Sequence, residues 1–232
     1  MCGKTAVMNE GEILMLRQQA ERGNAEAQFK LGQAYDQGDG IAKNDSEALK
    51  WYRKAVSQGL PQAFGALGVM YRYGSGVPKN NDQALRLFRR GTSYGDAVSM
   101  NEIGFMYHSG DGVNQDYAEA AKFFRMAAEK GLSSAEYNLG VMYLRGQGVK
   151  QDFLEARKWF IRSADQNYAY AWNDLAYMYE KGVGVPRDFS IAMDYYQKAS
   201  DLGCRMAAGN LMFLRMALKT GRYDTYSPPF PY

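Results

Sequence analysis

Apolar and small residues recur along the chain at helical spacing, in two alternating patterns. The first reads small-x-x-x-Leu-Gly-x-x-Tyr, as in Ala63, Leu67, Gly68 and Tyr71 and again in Ala135, Leu139, Gly140 and Tyr143. These positions fall three or four apart, so they line one face of an α-helix. The second places an aromatic pair or Leu-aromatic between small residues: Ala48, Trp51, Tyr52, Ala55; Ala84, Leu87, Phe88, Gly91; Ala120, Phe123, Phe124, Ala127; Ala156, Trp159, Phe160, Ser163; Ala192, Tyr195, Tyr196, Ala199. Large and small side chains alternate around that face, which suits interlocking of one helix with the next. Gly32, Gly68, Gly104 and Gly140, with Ala176 in the fifth copy, occupy the first helices although glycine lowers helix propensity. Close approach of the partner helix is the expected compensation.

The two patterns alternate with a fixed period. Tyr35, Tyr71, Tyr107, Tyr143 and Tyr179 are each 36 residues after the last, and each opens a similar segment, "YDQGDGIAKN", "YRYGSGVPKN", "YHSGDGVNQD", "YLRGQGVKQD" and "YEKGVGVPRD". An invariant period of this size marks a repeat array. Gly38, Gly74, Gly110, Gly146 and Gly182 stand where a helix end needs positive φ, and Ile41, Val77, Val113, Val149 or Val185 follows as a plug beneath the turn. Gly59, Gly95, Gly131 and Gly203 end the second helices in the same way, with Asn167 as the substitute. Asn44, Asn80, Asp116, Asp152 and Asp188 cap the second helices, and Glu47, Gln83, Glu119 and Glu155 three residues on predict reciprocal capping boxes in four of the five.

The predicted fold is therefore all-α, a single repeat domain over 1–232. It comprises a capping helix over 10–22, 36-residue repeats over 23–58, 59–94, 95–130, 131–166 and 167–202, and a closing helix over 203–220. The segment 221–232, with Pro228, Pro229 and Pro231 among Tyr226, Phe230 and Tyr232, leaves the helical pattern and favours extended backbone. It is expected to be a mobile terminus or to pack on the last helix or in a groove.

Composition adds exclusions more than assignments. The 46% hydrophobic and 23% charged content of 232 residues is that of an ordered protein, and the 14% aromatic content is mostly core by the pattern above. A net charge of +3 demands neither nucleic acid nor an anionic membrane. Cys2 and Cys204 lie near opposite ends, with no spacing of a disulfide framework or zinc site. With no signal-peptide core and no apolar run of about 18 residues, the expectation is a chain without a membrane span. It is cytoplasmic by default, or exported if a cleaved leader precedes it.

The combination A-x-x-x-L-G-x-M-Y-x-x-G-x-G-V, then D-x-x-x-A-x-x-W-Y/F-x-x-A, then G, resembles the Sel1-like repeat, a relative of the tetratricopeptide repeat. It reads clearly in "AEYNLGVMYLRGQGVKQDFLEARKWFIRSA" and covers nearly the whole chain. The resemblance implies a right-handed superhelical α-solenoid of antiparallel helix pairs that binds proteins or peptides on its concave face, commonly as an adaptor or regulator. One branch of the family carries paired cysteines in each repeat; this chain lacks them.

Glycines beside Asp111, Asp116 and His108 also suit a calcium or phosphate loop. The residue between the glycines is in turn Asp39, Ser75, Asp111, Gln147 and Val183, which is too free for a required ligand, so the segment reads as a turn. His108 is the only histidine, and no second histidine or paired cysteine completes a common site; no catalytic, metal or cofactor site is expected. Arg53, Arg89 and Arg125, joined by Lys54, Arg90, Arg162 and Lys198, suggest a basic stripe. Glu47, Glu119 and Glu155 are spaced to pair with Lys50, Lys122 and Lys158, which favours a salt-bridged outer face over a nucleic-acid surface.

If the first helices line the concave wall, as the resemblance implies, their non-packing positions become the candidate contacts. These are Glu26, Phe29, Gln33 and Asp36; Arg72 and Tyr73; Asn101, Phe105 and His108; Tyr137, Val141 and Arg145; and Tyr170, Asn173, Tyr177 and Lys181. Aromatics beside Asn and Arg are typical of protein-binding hot spots. The expected function is a non-enzymatic scaffold or adaptor for a protein or peptide partner, with the chain a monomer or weak homo-oligomer. An inhibitor or immunity-type protein occluding a cognate enzyme would use the same surface. A hydrolase is least supported, because no nucleophile–base–orienter set is visible.

Overall fold

The computed structural model describes residues 7–221, so the expectations for the Pro/aromatic segment and for Cys2 fall outside the described residues. Among the described residues the chain forms twelve α-helices and no strand. They are α1 (Glu10–Glu21), α2 (Ala25–Gln37), α3 (Asp45–Ser57), α4 (Pro61–Tyr73), α5 (Asn81–Ser93), α6 (Ala97–Ser109), α7 (Tyr117–Glu129), α8 (Ser133–Arg145), α9 (Phe153–Asp165), α10 (Ala169–Lys181), α11 (Phe189–Asp201) and α12 (Arg205–Thr220). Two compact units are present. One spans 3–132 and holds α1 to α7; the other holds α8 to α12. Within each, a first helix packs chiefly on the second helix that follows it, and each second helix packs on the next first helix of its unit.

The helices are 13 residues long from α2 to α11, short enough to be marginal in isolation, so pairing has to hold them. A methyl placed on Gly32, Gly68, Gly104 or Gly140 would meet the ring of Tyr52, Phe88, Phe124 or Phe160, each twenty residues further on and fully buried. In the fifth repeat Ala176 takes that position and Tyr196 is the buried ring. The low-propensity glycines are thus explained by the close approach expected of them. The second glycine of each loop has a different reason. A methyl on Gly76, Gly112 or Gly184 would collide with Asp45, Asn81 or Phe153, so the loop rests on the start of the preceding second helix in its unit.

The helix ends follow the glycine pattern. Gly38, Gly74, Gly110, Gly146 and Gly182 have φ between 67° and 76°, and among the described residues Asn167 is the one non-glycine with positive φ, at 63°. The caps depart from expectation. Asn44, Asn80, Asp116, Asp152 and Asp188 each accept from the backbone N–H three residues on, as predicted. The reciprocal half of the capping box does not form at any of them. Each cap residue's own N–H already donates to the carbonyl of the repeated tyrosine, at 2.8 Å for Asn44 to Tyr35 and 2.9 Å for Asp116 to Tyr107. Glu47, Glu119 and Glu155 turn instead to Lys50, Lys122 and Lys158. Among the described residues a complete capping box occurs at α1, where the Asn9 N–H donates to the Glu12 carboxylate at 2.8 Å.

Gly104→Ala tests whether the rings set the helix spacing, because the added carbon would lie 2.7 Å from Phe124 ring carbons. Alanine for glycine in an open helix gains roughly 0.8–1 kcal/mol. Here overpacking outweighs that gain, and urea denaturation is expected to show a net loss of about 1–3 kcal/mol. Ala176→Gly, where a methyl is already accommodated, should lose about 1 kcal/mol.

Candidate functional site

The predicted contact residues divide sharply by burial. Arg72, Asn101, Tyr137, Asn173 and Tyr177 are buried; Phe29, Phe105, His108, Arg145 and Lys181 are half-buried; Tyr73 and Tyr170 are exposed, at 65% and 45%. Arg72 and Asn173 are held inside by hydrogen bonds and Tyr137 by ring packing, neither of which is visible in the apolar pattern.

In the unit of α1 to α7, Arg72 is an internal tie. Its guanidinium donates to Glu102 at 2.6 Å and reaches Asp111 at 3.5 Å, joining α4 to the next first helix and to the loop after it. Asp111 also accepts from Lys79 and Asn81. The same guanidinium lies 5.3 Å from the Tyr73 ring centre and 5.9 Å from that of Phe105, so one fixed cation brings both aromatics together. Phe105 meets Phe124 edge-on at 5.2 Å, and Phe29 tilts against Tyr52 at 5.7 Å. His108 packs edge-on against Tyr117 at 5.3 Å, and its carbonyl accepts from Gln115.

Burial pushes the Glu102 carboxyl above its ordinary range, against the downward pull of the Arg72 charge and hydrogen bond. For Asp111 burial also acts upward, but the hydrogen bonds from Asn81 and Lys79 with the charges of Lys79 and Arg72 together hold it low. The two carboxyls therefore act oppositely on stability. Glu102 contributes stability that is fully present below about pH 4.5 and lost as pH rises through its raised value. Asp111 contributes stability present above its ordinary value and lost as pH falls through its lowered one.

In the unit of α8 to α12 the exposed Tyr170 stands on an aromatic cluster. Tyr137 lies 5.2 Å from Tyr168 and 6.3 Å from Tyr170, and Tyr168 lies 5.8 Å from Tyr170. Burial raises the Tyr168 hydroxyl, with further upward contributions from Tyr170 and Asp174. Tyr168 lies outside the predicted contacts, because it precedes α10 and falls outside the helical stripe. Asn173 is fully buried; it donates to Asp174 at 3.0 Å and accepts from Asn210 of α12 at 3.0 Å, so it has no surface to offer a partner. Lys181 pairs with Glu180 at 2.8 Å. Buried Glu136 receives Arg162 at 2.9 Å and Gln166 at 2.8 Å.

Two variable positions have an internal explanation. The second-helix ring is tyrosine only at Tyr52 and Tyr196, and 16 residues before each stands an acid, Asp36 or Glu180, which accepts from its hydroxyl. Phe88, Phe124 and Phe160, lacking a hydroxyl, follow Arg72, His108 and Leu144 at that spacing. Asp36 is thus spoken for by Tyr52, and this pairing was available in the sequence. Arginines of α1 and of the second helices also find partners within the array. Arg17 and Arg53 donate to the hydroxyls of Tyr35 and Tyr71, 18 residues on. In the fourth repeat Ile161 stands where that arginine would be, and Arg157, one turn earlier, donates to Tyr179 of the fifth.

With this geometry in place, the family is defined. A Sel1 repeat model matches residues 25–60, 66–95, 97–132, 133–168 and 169–204, and the chain belongs to the Sel1 repeat family. Its first helices, loops and ring-bearing second helices form a helical repeat solenoid shared with solved structures. One is c5321, described as a protective antigen of uropathogenic Escherichia coli with an SLR fold, at 37% identity and TM-score 0.72; the match covers 86% of this chain and 43% of that one. Another is a Sel1 repeat protein of Oxalobacter formigenes, at 28% identity and TM-score 0.71, covering 88% of this chain and 99% of that one. The immunity protein Pa5087 of Pseudomonas aeruginosa shares the fold at 20% identity and TM-score 0.61, covering 84% of this chain and 75% of that one. Among proteins of curated function, none matches the chain. Among the described residues no helix is long and apolar enough to cross a membrane.

Arg72→Met should cost about 3–5 kcal/mol in urea denaturation, because it leaves Glu102 buried without its cation. Adding Glu102→Leu should recover most of that loss. Glu102→Gln should flatten the fall in stability as pH rises above about 4.5, since the raised carboxyl responsible is gone.

Proposed function

We propose that the chain is a non-enzymatic scaffold that captures a protein or peptide through the exposed side chains of its first helices. The observation that carries this reading is the placement of Tyr73 and Tyr170. Each is an exposed aromatic held against a framework that is already internally satisfied, Arg72 with Glu102 in one case and the Tyr137–Tyr168 pair in the other. Large rings of low flexibility with a hydrogen-bonding tip bury much area on binding at little entropic cost. Each unit offers its own patch: Tyr73 with Phe105 and His108 in one, Tyr170 with Tyr168 in the other. Arg145 and Lys181, both half-buried, are candidate flanking contacts in the second. Tyr137 supports the second patch from beneath, while Asn101, Asn173 and Tyr177 are buried and offer no contact surface.

Affinity capture from the native organism should lose its partner with Tyr73→Ala and Tyr170→Ala combined, each substitution weakening binding roughly ten-fold or more. Helicity and thermal stability should stay unchanged. Arg86→Ala with Lys122→Ala on the second helices should leave capture intact. Equal capture by the folded double tyrosine variant would place the partner elsewhere. If the captured protein is an enzyme, assaying it with and without the chain separates an adaptor from an inhibitor that occludes its partner.

A further inference from the structure

We propose that copies of this chain associate head to tail, with α1 of one copy docking on α12 of another. Both helices expose large apolar side chains. On α1, Leu14 and Met15 are 58% and 63% exposed. On α12, Met212 and Met216 are 61% and 55% exposed, with Met206 beside them on the same side of the helix. Contiguous apolar surface of this kind marks an interaction site.

Register shows what kind of face α12 presents. Met212 stands 36 residues after Ala176 and 72 after Gly140, the small residues that receive a second-helix ring. A methionine there leaves no room for another ring packed as Phe160 is on Gly140. The face therefore suits an occupant other than an in-register second helix. Gly209 lies on it, with nothing within 4 Å of an added methyl, so another backbone has room to approach.

Charge selects the occupant. The charged residues of α12 are Arg205, Arg215 and Lys219, all exposed, with no acid among them. Those of α1 are Glu10, Glu12 and Glu21 against Arg17, whose guanidinium is turned inward to the Tyr35 hydroxyl at 2.8 Å. Pairing α12 with α12, or α1 with α1, would set like charges together. Pairing α1 with α12 sets acids against bases around an apolar centre, and Gly11 stands on the exposed side of α1 as Gly209 does on that of α12. The contact is heterologous, so it propagates into chains or closes into rings. One helix face on another falls well short of the roughly 1,600 Å² of a standard interface, so the association is weak and depends on concentration.

Sedimentation velocity of the full chain, from about 10 µM to about 1 mM, tests this over the range appropriate to a small interface. Wild type should pass from monomer to dimer and larger species, and salt raised to about 0.5 M should weaken the association several-fold. Leu14→Glu with Met15→Glu, and separately Met212→Glu with Met216→Glu, should each be monomeric alone. Mixed in equal amounts, the two variants should form a dimer that grows no further, since each retains one complementary face. Arg215→Glu with Lys219→Glu, confined to exposed charges, should also abolish self-association, and Glu10→Lys with Glu21→Lys in a second chain should restore pairing on mixing. A wild type that stays monomeric throughout overturns the proposal. So does self-association that survives in the Leu14/Met15 variant, which would indicate α12 against α12. Association that appears only after truncation beyond Gly221 also overturns it, by assigning the face to the chain's own C-terminal segment.

Discussion

Each repeat is organised by the contact between a second-helix ring and a small residue of the first helix. Thirteen-residue helices gain little from propensity alone, and a glycine in the middle of one costs about 1 kcal/mol relative to alanine. The chain accepts that cost at Gly32, Gly68, Gly104 and Gly140 because each lets a ring of the partner helix sit where a methyl would be. Fully burying such a ring contributes roughly 1.5–3 kcal/mol. Since the ring lies twenty residues from its glycine, the repeat closes on itself within a short stretch of sequence. The same contact, repeated, makes the array.

Polar interactions complete what this packing leaves open. The cap residue of each second helix is bound at its N–H by the carbonyl of the repeated tyrosine, so the loop is tied at both ends without help from the capping-box acid. That acid is released to pair with lysine on the surface, where such pairs contribute little to stability. The tyrosine's hydroxyl receives an arginine from the preceding second helix at Tyr35, Tyr71 and Tyr179, counting α1 as that helix for Tyr35. One residue thus serves the turn through its backbone and the neighbouring repeat through its side chain.

On the proposed reading, function falls to positions that neither the ring contact nor these ties consume. Arg72, Asn173 and Asp36 look free in a list of non-repeating residues, yet each is engaged by a partner in its own or the next repeat. Tyr73 and Tyr170 remain, exposed beside groups that are already satisfied. A scaffold of this kind separates its tasks well: surface aromatics can change without disturbing the helix pairs, and the family's shared fold says nothing by itself about the partner.

The sequence by itself determined the all-α class, the 36-residue period, the helix-ending glycines and the small residues beneath the rings. All of these depend on spacing within one or two helices, and spacing is visible in a linear chain. It also held the pairing of Asp36 with Tyr52 and of Glu180 with Tyr196, a fixed 16-residue interval that appears only when the ring is tyrosine. Only the tertiary structure decided which variable residues are buried. Glu102, Asp111 and Arg72 meet across repeats, and Tyr168 enters the Tyr137–Tyr170 cluster from outside any helical stripe. Burial of these side chains is set by whether a partner from another helix reaches them, and for them no repeated interval marks the partner.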